Sequence, residues 1–294
     1  MADRGPVKIR TGRIDDLIDL YKSSYKKLSE EIVTATESGK IQKVRVMARI
    51  NAELTSLGVD VNEWVKREIP QYYMDGANQA IQDLKALGVD VSKPSGMAAI
   101  NRQAIAALLD DVSLSFAESI RTLSRNSRKL LTDVQRQQIN LTIAKGRLEG
   151  ADLKAIVSGV KDTLKQDGLG VLVDKAGRTW TFDNYADMLV KTKIVEARNQ
   201  GLANRMLQNG YDLVQISTHA SKHEACRVWE GKILSISGST PEGTELPGGF
   251  VVSGTLEQAK IAGLFHPRCQ HAANVIVPEL AAKTKAYDNP YNYQ

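Results

Sequence analysis

The four histidines and two cysteines of this 294-residue chain all lie between His219 and His271, within the strings STHASKHEACRVWEGK and GLFHPRCQH. No other feature limits the possible folds so much. Two H-x-x-C pairs, His223 with Cys226 and His266 with Cys269, are flanked by His219 and His271. Thiolate and imidazole together are what tetrahedral Zn²⁺ prefers, and two ligands separated by two residues can face one ion from a tight turn. A second such turn brought in from a distant segment would complete four-coordination, closing the Gly- and Pro-rich loop between them and offsetting its ordering entropy. The expected ligands are His223, Cys226, His266 and Cys269, with His219 and His271 as alternates, in a closed structural Zn²⁺ site. The competing reading of the same residues is a pair of buried apolar thiols or a disulfide, with the histidines on the surface or in the core. A disulfide needs an oxidising compartment, and nothing in the sequence indicates one.

The length allows two domains, and 42% hydrophobic content allows at least one substantial core. No apolar run approaches the roughly 20 residues of a membrane helix, and the opening MADRGPVKIRTGR has no apolar stretch of the signal-peptide kind. The expectation is a protein made in a cytoplasm with no membrane partner. A formal charge of +5, spread along the chain, permits contact with DNA or an acidic partner without requiring either.

Periodicity divides the chain. Ile14, Leu17, Ile18, Tyr21, Tyr25, Leu28 and Ile32 recur at helical spacing up to Gly39, and Val44, Met47, Ile50, Leu54 and Leu57 repeat the pattern up to Gly58. Asp60 and Glu63 resemble a capping box opening a third helix, which Pro70 is expected to kink or split. A long stripe from Ile100 to Leu123 follows, then a basic helix with Leu130, Leu131, Val134, Leu141 and Ala144, then Leu153 to Leu164. At GVLVDKAGRTWTF the pattern becomes that of a hairpin, Val171 to Val173 against Thr179 to Phe182. Beyond it come a helix from Asp183 to Gly210, a strand DLVQIST ending at His219, a strand over 232–237, an exposed loop over 238–254, a short helix over 255–262 and a closing strand over 272–277. The fold class is therefore α+β: a helical arm or bundle over residues 1–167, a small metal-stapled α/β module over 168–282, and a tail over 283–294.

Other candidates carry less. Arg121, Arg125, Arg128, Lys129, Arg136, Lys145 and Arg147 could track phosphate, but a basic helix is more often simply a solvated face. Trp229 is expected to pack over the metal loop. For catalysis, a Cys–His nucleophile pair or a metal hydrolase with one open position is conceivable, yet Glu224 is the one acidic residue in the ligand turns and a general base is poorly provided. Phosphate loops, dinucleotide fingerprints and nucleophile elbows are absent from the sequence. The expectation is a protein that is not an enzyme.

The succession VDKAGRTWTFDNYADMLVKTKIVEARNQG, NGYDLVQISTHASKHEACRVWEGKILSISG and GLFHPRCQHAANVIVPEL resembles the minor head proteins of tailed bacteriophages, the Mu F-like group and its minor capsid protein branch. The likeness covers about Gly170 to Leu280. It rests on ordered blocks: the DKAGR-W hairpin, the Y-A-x-M helix, the S-x-H strand end, W-x-G-K and H-P-x-C-x-H. In that family the pattern implies a metal site carried here by Cys226, His266, Cys269 and His271, with His219 at the strand end. Arg268 and Gln270 depart from the usual asparagine and arginine around the cysteine. The resemblance implies a structural component of the virion, made in the host bacterial cytoplasm and acting in head assembly at the portal vertex or capsid interior. Its implied partners are the portal protein or the major capsid protein, with phage DNA as a further contact. The rival functions are a DNA-binding module and, after it, a metal-dependent hydrolase or nuclease.

Overall fold

The computed structural model describes residues 12–37, 43–91, 99–130, 133–166, 171–173, 179–219, 221, 223–267, 269 and 271–281. Gly39, Pro94, Gly168, the Lys175–Gly177 turn, Arg268, Gln270 and the expected tail over 283–294 lie outside them.

The α+β expectation holds: a helical N-terminal region precedes a small mixed sheet. The helices are α1 (Gly12–Glu37), α2 (Lys43–Ala86), α3 (Ala99–Leu130), α4 (Asp133–Leu148), α5 (Leu153–Gln166) and α6 (Phe182–Gln208). The chain is not broken at Gly58 or split at Pro70, because α2 is helical through both, and Asp60 is an exposed mid-helix residue rather than a cap. The stripe explains this. Val46, Ile50, Leu54, Leu57, Val61, Trp64, Val65, Ile69, Tyr72, Tyr73, Ala77, Ala80 and Leu84 continue at helical spacing and are all buried. Each of the larger apolar side chains contributes about 1.5–3 kcal/mol, which together outweighs the roughly 1 kcal/mol cost of one helical glycine and the about 3 kcal/mol cost of one helical proline. On α4 the inward residues are Ile139 and Ile143, whereas Leu141 and Ala144 face outward.

The chain forms two compact units whose limits do not coincide with the expected division at 167/168. One is built from Thr11–Lys66 and Asp110–Leu189, the other from Arg67–Leu109 and the chain from Val190 onward. In the first, three helical segments are cross-linked by buried or half-buried polar contacts. Tyr21 on α1 lies 6.1 Å, ring to ring, from Phe116 on α3, and its hydroxyl meets the Ser119 hydroxyl at 3.3 Å. Ser24 donates to Glu53 on α2 at 2.8 Å, while Ser113 and Ser124 on α3 donate to Asn62 and Asn51 at 3.2 Å each. The hairpin, β1 (Val171–Val173) against β2 (Thr179–Thr181), forms with Leu172 opposite Trp180 and belongs to this unit.

The second unit holds the sheet. Its strands are β3 (Leu213–Ile216), β4 (Ile233–Ser235), β5 (Glu245–Leu246), β6 (Phe250–Thr255) and β7 (Ala273–Val275), in the order β5-β6-β4-β3-β7. Strand β3 pairs antiparallel with both β4 and β7, and β4 runs parallel to β6. Residues 238–254 are thus not one exposed loop: Phe250 and Val252 are buried strand residues beside β4. The short helices are α7 (Glu224–Arg227), α8 (Leu256–Ile261) and α9 (Pro278–Ala281), and α8 opens with a complete Thr255/Gln258 capping box. The core joins Ala80, Leu84 and Val91 to Leu202 and Met206 of α6 and to Val214, Ile216, Leu234 and Val275 of the sheet.

Helices α2 and α6 cross with their backbones in contact. A Cβ on Gly76 would land on the Arg198 carbonyl, and one on Gly201 would land on the Tyr73 carbonyl. Beside the crossing, the Tyr73 hydroxyl donates to Asn101 at 3.0 Å and accepts from Asn204 at 2.8 Å. Ahead of β3, Asp212 gathers the connection out of β4. Its carboxylate accepts from the Ser235 hydroxyl (2.5 Å), the Ser237 amide and hydroxyl (2.7 and 2.6 Å) and the Thr240 amide and hydroxyl (3.2 and 3.0 Å). Partial burial works to raise its pKa, but these donors prevail and hold it well below the usual carboxylate range.

Two glycine substitutions should have opposite signs. Gly76→Ala forces two backbones apart and should lower stability by at least the upper part of the about 1–3 kcal/mol range for overpacking. Gly58→Ala, whose new methyl meets only Ile120 at an ordinary 3.7 Å, should raise it by about 0.5–1 kcal/mol. Denaturant midpoints measure both. Asp212→Asn should cost about 1.5–3 kcal/mol at neutral pH. Because the native pKa is depressed, the carboxylate's contribution is full above the unfolded value near 3.9 and fades as pH falls through the native one. Acid unfolding of the variant should accordingly depend less on pH below about 4 than that of the parent.

Candidate metal centre

The centre sits where β3 ends. Ser217, just past the strand, donates its amide to the Ala272 carbonyl at 2.9 Å and accepts the Ala272 amide on its hydroxyl at 2.9 Å. This pair of hydrogen bonds to the residue after His271 fixes the entrance to β7 beside the exit from β3. The chain from Ser217 then turns through α7 and returns, with the Gly231 amide donating to the Ile216 carbonyl and the Ile216 amide to the Lys232 carbonyl, each at 3.0 Å. Cys226 sits in α7 and is fully buried.

The other ligand turn leaves α8. Leu264 donates back to the Ala259 carbonyl at 2.9 Å, Phe265 adopts φ 61°, and Cys269 donates its amide to the His266 carbonyl at 2.8 Å. Gly263, at φ 105°, lies so close to α7 that an added Cβ would sit 2.9 Å from the Ala225 Cβ. The two H-x-x-C turns are therefore pressed together.

All six Cys/His side chains converge, joined by Glu230. Their possible ligand atoms fall into three groups, each with atoms within 4.8 Å of one another: His223, Cys226 and His266; Cys226, Cys269 and His271; His219, Glu230 and His271. The Cys226 Sγ is 3.3 Å from the His266 Nε2, and the Cys269 Sγ is 3.1 Å from the His271 Nδ1. The His266 Nδ1 is 2.8 Å from the Pro267 carbonyl, which requires a proton there and leaves the Nε2 lone pair facing Cys226. The His271 Nε2 is 3.0 Å from the Glu230 carboxylate. His223 is exposed and stacks on His266 with ring centroids 3.8 Å apart, and His219 packs against His271 at 4.0 Å. The His219 Nδ1 is buried with no hydrogen-bond partner among the described residues.

Both cysteines are free thiols. Burial pushes the Cys269 thiol up to about 11, and the neighbouring Cys226 adds to the shift. Burial lowers the His271 pKa against the opposing pull of Glu230. Glu230 itself is shifted upward by burial but more strongly downward by the Ser221 amide, His271 and the His219 amide, for a net lowering. Two buried thiols and two imidazoles with lone pairs turned toward them are a donor set that suits Zn²⁺.

Sequence reasoning named all six Cys/His residues and missed Glu230. It weighed Glu224, which is exposed on α7 and belongs to none of the three groups. The available signal was the turn W-E-G-K, in which Gly231 folds the chain back to Ile216 and so carries Glu230 toward the strand end. Trp229 packs against the core as expected. Of the basic stretch, Arg121, Arg125, Lys145 and Arg147 are exposed, and Arg125 donates to Thr122 at 2.8 Å. The side chains of Arg128, Lys129 and Arg136 lie outside the described residues. All belong to the helical unit rather than to the unit carrying the Cys/His cluster.

Comparison with known families gives a match over residues 13–293 to the phage minor capsid protein 2 family. The chain belongs to that family. Neither the curated proteins nor the solved structures yield a match. Family membership makes the chain a structural component of the phage particle, and it extends the expected likeness from the C-terminal half to nearly the whole chain. No described helix is long and apolar enough to cross a membrane.

Gly263 offers a direct check on how the two turns meet. Gly263→Ala brings both backbone strain and a contact with Ala225, whereas Gly243→Ala, at φ 82° with nothing within 4 Å, brings strain alone. The first should cost about 1–3 kcal/mol more than the second in thermal or denaturant unfolding.

Proposed function

We propose that this minor capsid protein acts in phage head assembly at the portal vertex or the capsid interior. It docks to the portal or major capsid protein through its helical region and carries a structural Zn²⁺ in the Cys/His centre. Membership of the minor capsid family is the observation that carries the assembly role. A docking face on the helical unit is supported by Leu141 and Leu148, which are 69% and 89% exposed and stand two turns apart on one face of α4. Both flank the exposed Lys145.

For the metal, the proposed donors are the Cys226 and Cys269 Sγ atoms, the His266 Nε2 and the His271 Nδ1, drawn from two groups that share Cys226. With all four positions taken by protein, the ion would supply four bonds that tie the two turns together, and its role is structural. In this set His271 takes the place expected for His223, which stacks over His266 from the solvent side. His219 remains outside it.

Metal analysis of the purified full chain should give one Zn²⁺ per molecule. Cys269→Ser and His271→Ala should lose it, while His223→Ala should keep it. Chelation should loosen the segments around 217–231 and 262–272, seen as faster amide exchange, with the helices retained. A chain that takes up no Zn²⁺ overturns the metal reading. Complementation of a phage lacking the gene tests docking: Leu141→Glu with Leu148→Glu should fold normally yet be depleted from purified heads at least tenfold. Normal incorporation would remove α4 as the docking face.

A further inference from the structure

We infer that Glu230 is the positioning residue of this centre: its carboxylate fixes His271 in the one tautomer and orientation that presents the Nδ1 lone pair to the metal. The inference rests on the metal reading above and deepens it. A neutral imidazole carries its proton on one nitrogen and its lone pair on the other. The His271 Nε2 is 3.0 Å from the Glu230 Oε1, and an ionised carboxylate only accepts, so the proton belongs on Nε2. The Nδ1, 3.1 Å from the Cys269 Sγ, is then left bare on the side of the two thiols. The other tautomer would turn an N–H toward the cysteines and a lone pair against the carboxylate, and a flipped ring would offer C–H groups at both places.

Glu230 is in turn held rigid. Its Oε1 accepts the Ser221 amide at 2.8 Å and the His219 amide at 3.4 Å, so the loop between β3 and α7 grips the same oxygen that grips His271. Its side chain is 10% exposed and that of His271 1%, which keeps water from competing for the bond. Such a carboxylate also makes the imidazole a better donor and offsets cation charge in a buried setting. His266 shows the same device in a weaker form, with a neutral carbonyl, that of Pro267, as its orienting partner. The stronger partner is thus on the more deeply buried histidine, where a misplaced proton would be hardest to correct.

The test uses the full chain loaded with Zn²⁺, and with Co²⁺ as a spectroscopic substitute, titrated against a chromophoric chelator. Glu230→Gln keeps an oxygen that can accept all three bonds and removes only the charge, whereas Glu230→Ala removes the partner altogether. The expectation is a loss in Zn²⁺ affinity of about tenfold for Gln and closer to 100-fold for Ala. Imidazole ¹⁵N shifts should report a single His271 tautomer, Nε2 protonated, in the parent and a mixture in the Ala variant. A residue serving only to tether the loop would leave the affinity unchanged in Glu230→Gln and the His271 tautomer unchanged in Glu230→Ala. That result would overturn the inference while leaving the metal reading intact. Two metal ions per chain in the parent would also overturn it, since His219, Glu230 and His271 would then form a second site with Glu230 as a ligand. Failure of the parent to bind either metal would instead remove the reading on which the inference stands.

Discussion

The position of β3 between β4 and β7 is the constraint on which the rest of the candidate centre depends. Because β4 and β7 both pair antiparallel with β3, the segment leaving β3 and the segment entering β7 meet at the same end of the sheet. Each carries one cysteine turn. Ser217 and Ala272 then lock the two segments with reciprocal hydrogen bonds, and Gly263 lets the H-P-x-C turn press against α7. Ligands far apart in sequence become neighbours through backbone pairing, before any ion is considered. A preformed arrangement of this kind lowers the ordering cost that ligand binding would otherwise bear.

Behind that end of the sheet stands an apolar layer, and Cys226 and Cys269 are part of it. They are buried with Leu234, Leu256, Leu264 and Val275, and the layer is completed by Ala80, Leu84, Leu202 and Met206 from α2 and α6. The sheet therefore has a hydrophobic source of stability that does not depend on a bound ion. Small zinc modules lacking such backing depend on the metal for their entire fold. Here the dependence should be confined to the two turns. The same layer ties the sheet to helix much earlier in the chain, since Val214, Leu234 and Val275 are buried with Ala80 and Leu84 of α2.

Much of this was legible in the sequence, for reasons that differ by element. The hairpin, β3, α8 and β7 were readable because short alternating runs, turn residues and the T-x-x-Q cap are local signals. The six Cys/His residues were readable because their chemistry is distinctive at any distance. The length of α2 was not, since Gly58 and Pro70 are local stop signals overruled by burial on both sides of them, which is a tertiary effect. Strand β6 was hidden in a Gly-rich stretch because its pairing with β4 is parallel and non-local, and a sequence shows no register for such a pairing. Glu230 was missed for a similar reason: it lies outside both ligand turns, and only the return of the chain to Ile216 sets it beside His271.

The proposed ligand set differs from the one that spacing alone suggests, and the difference has a physical argument behind it. The H-x-x-C repeat favours His223 as the partner of Cys226, and the equivalent residue in the other turn, His266, does reach Cys226. The two turns are not equivalent in the fold, however. The first is a helical turn in which His223 stands at the N-terminus, exposed, while the second is an irregular turn that carries the chain onward into β7 with His271 buried at its base. Burial and hydrogen bonding differ between histidines that the repeat treats alike. His266 has a carbonyl and His271 a carboxylate to hold the proton on the nitrogen away from the thiols, whereas the exposed His223 has its ring against His266. A side chain exposed to water loses more entropy on ligation than one already fixed, which is the argument for proposing His266 and His271, each with an orienting partner, over the exposed His223.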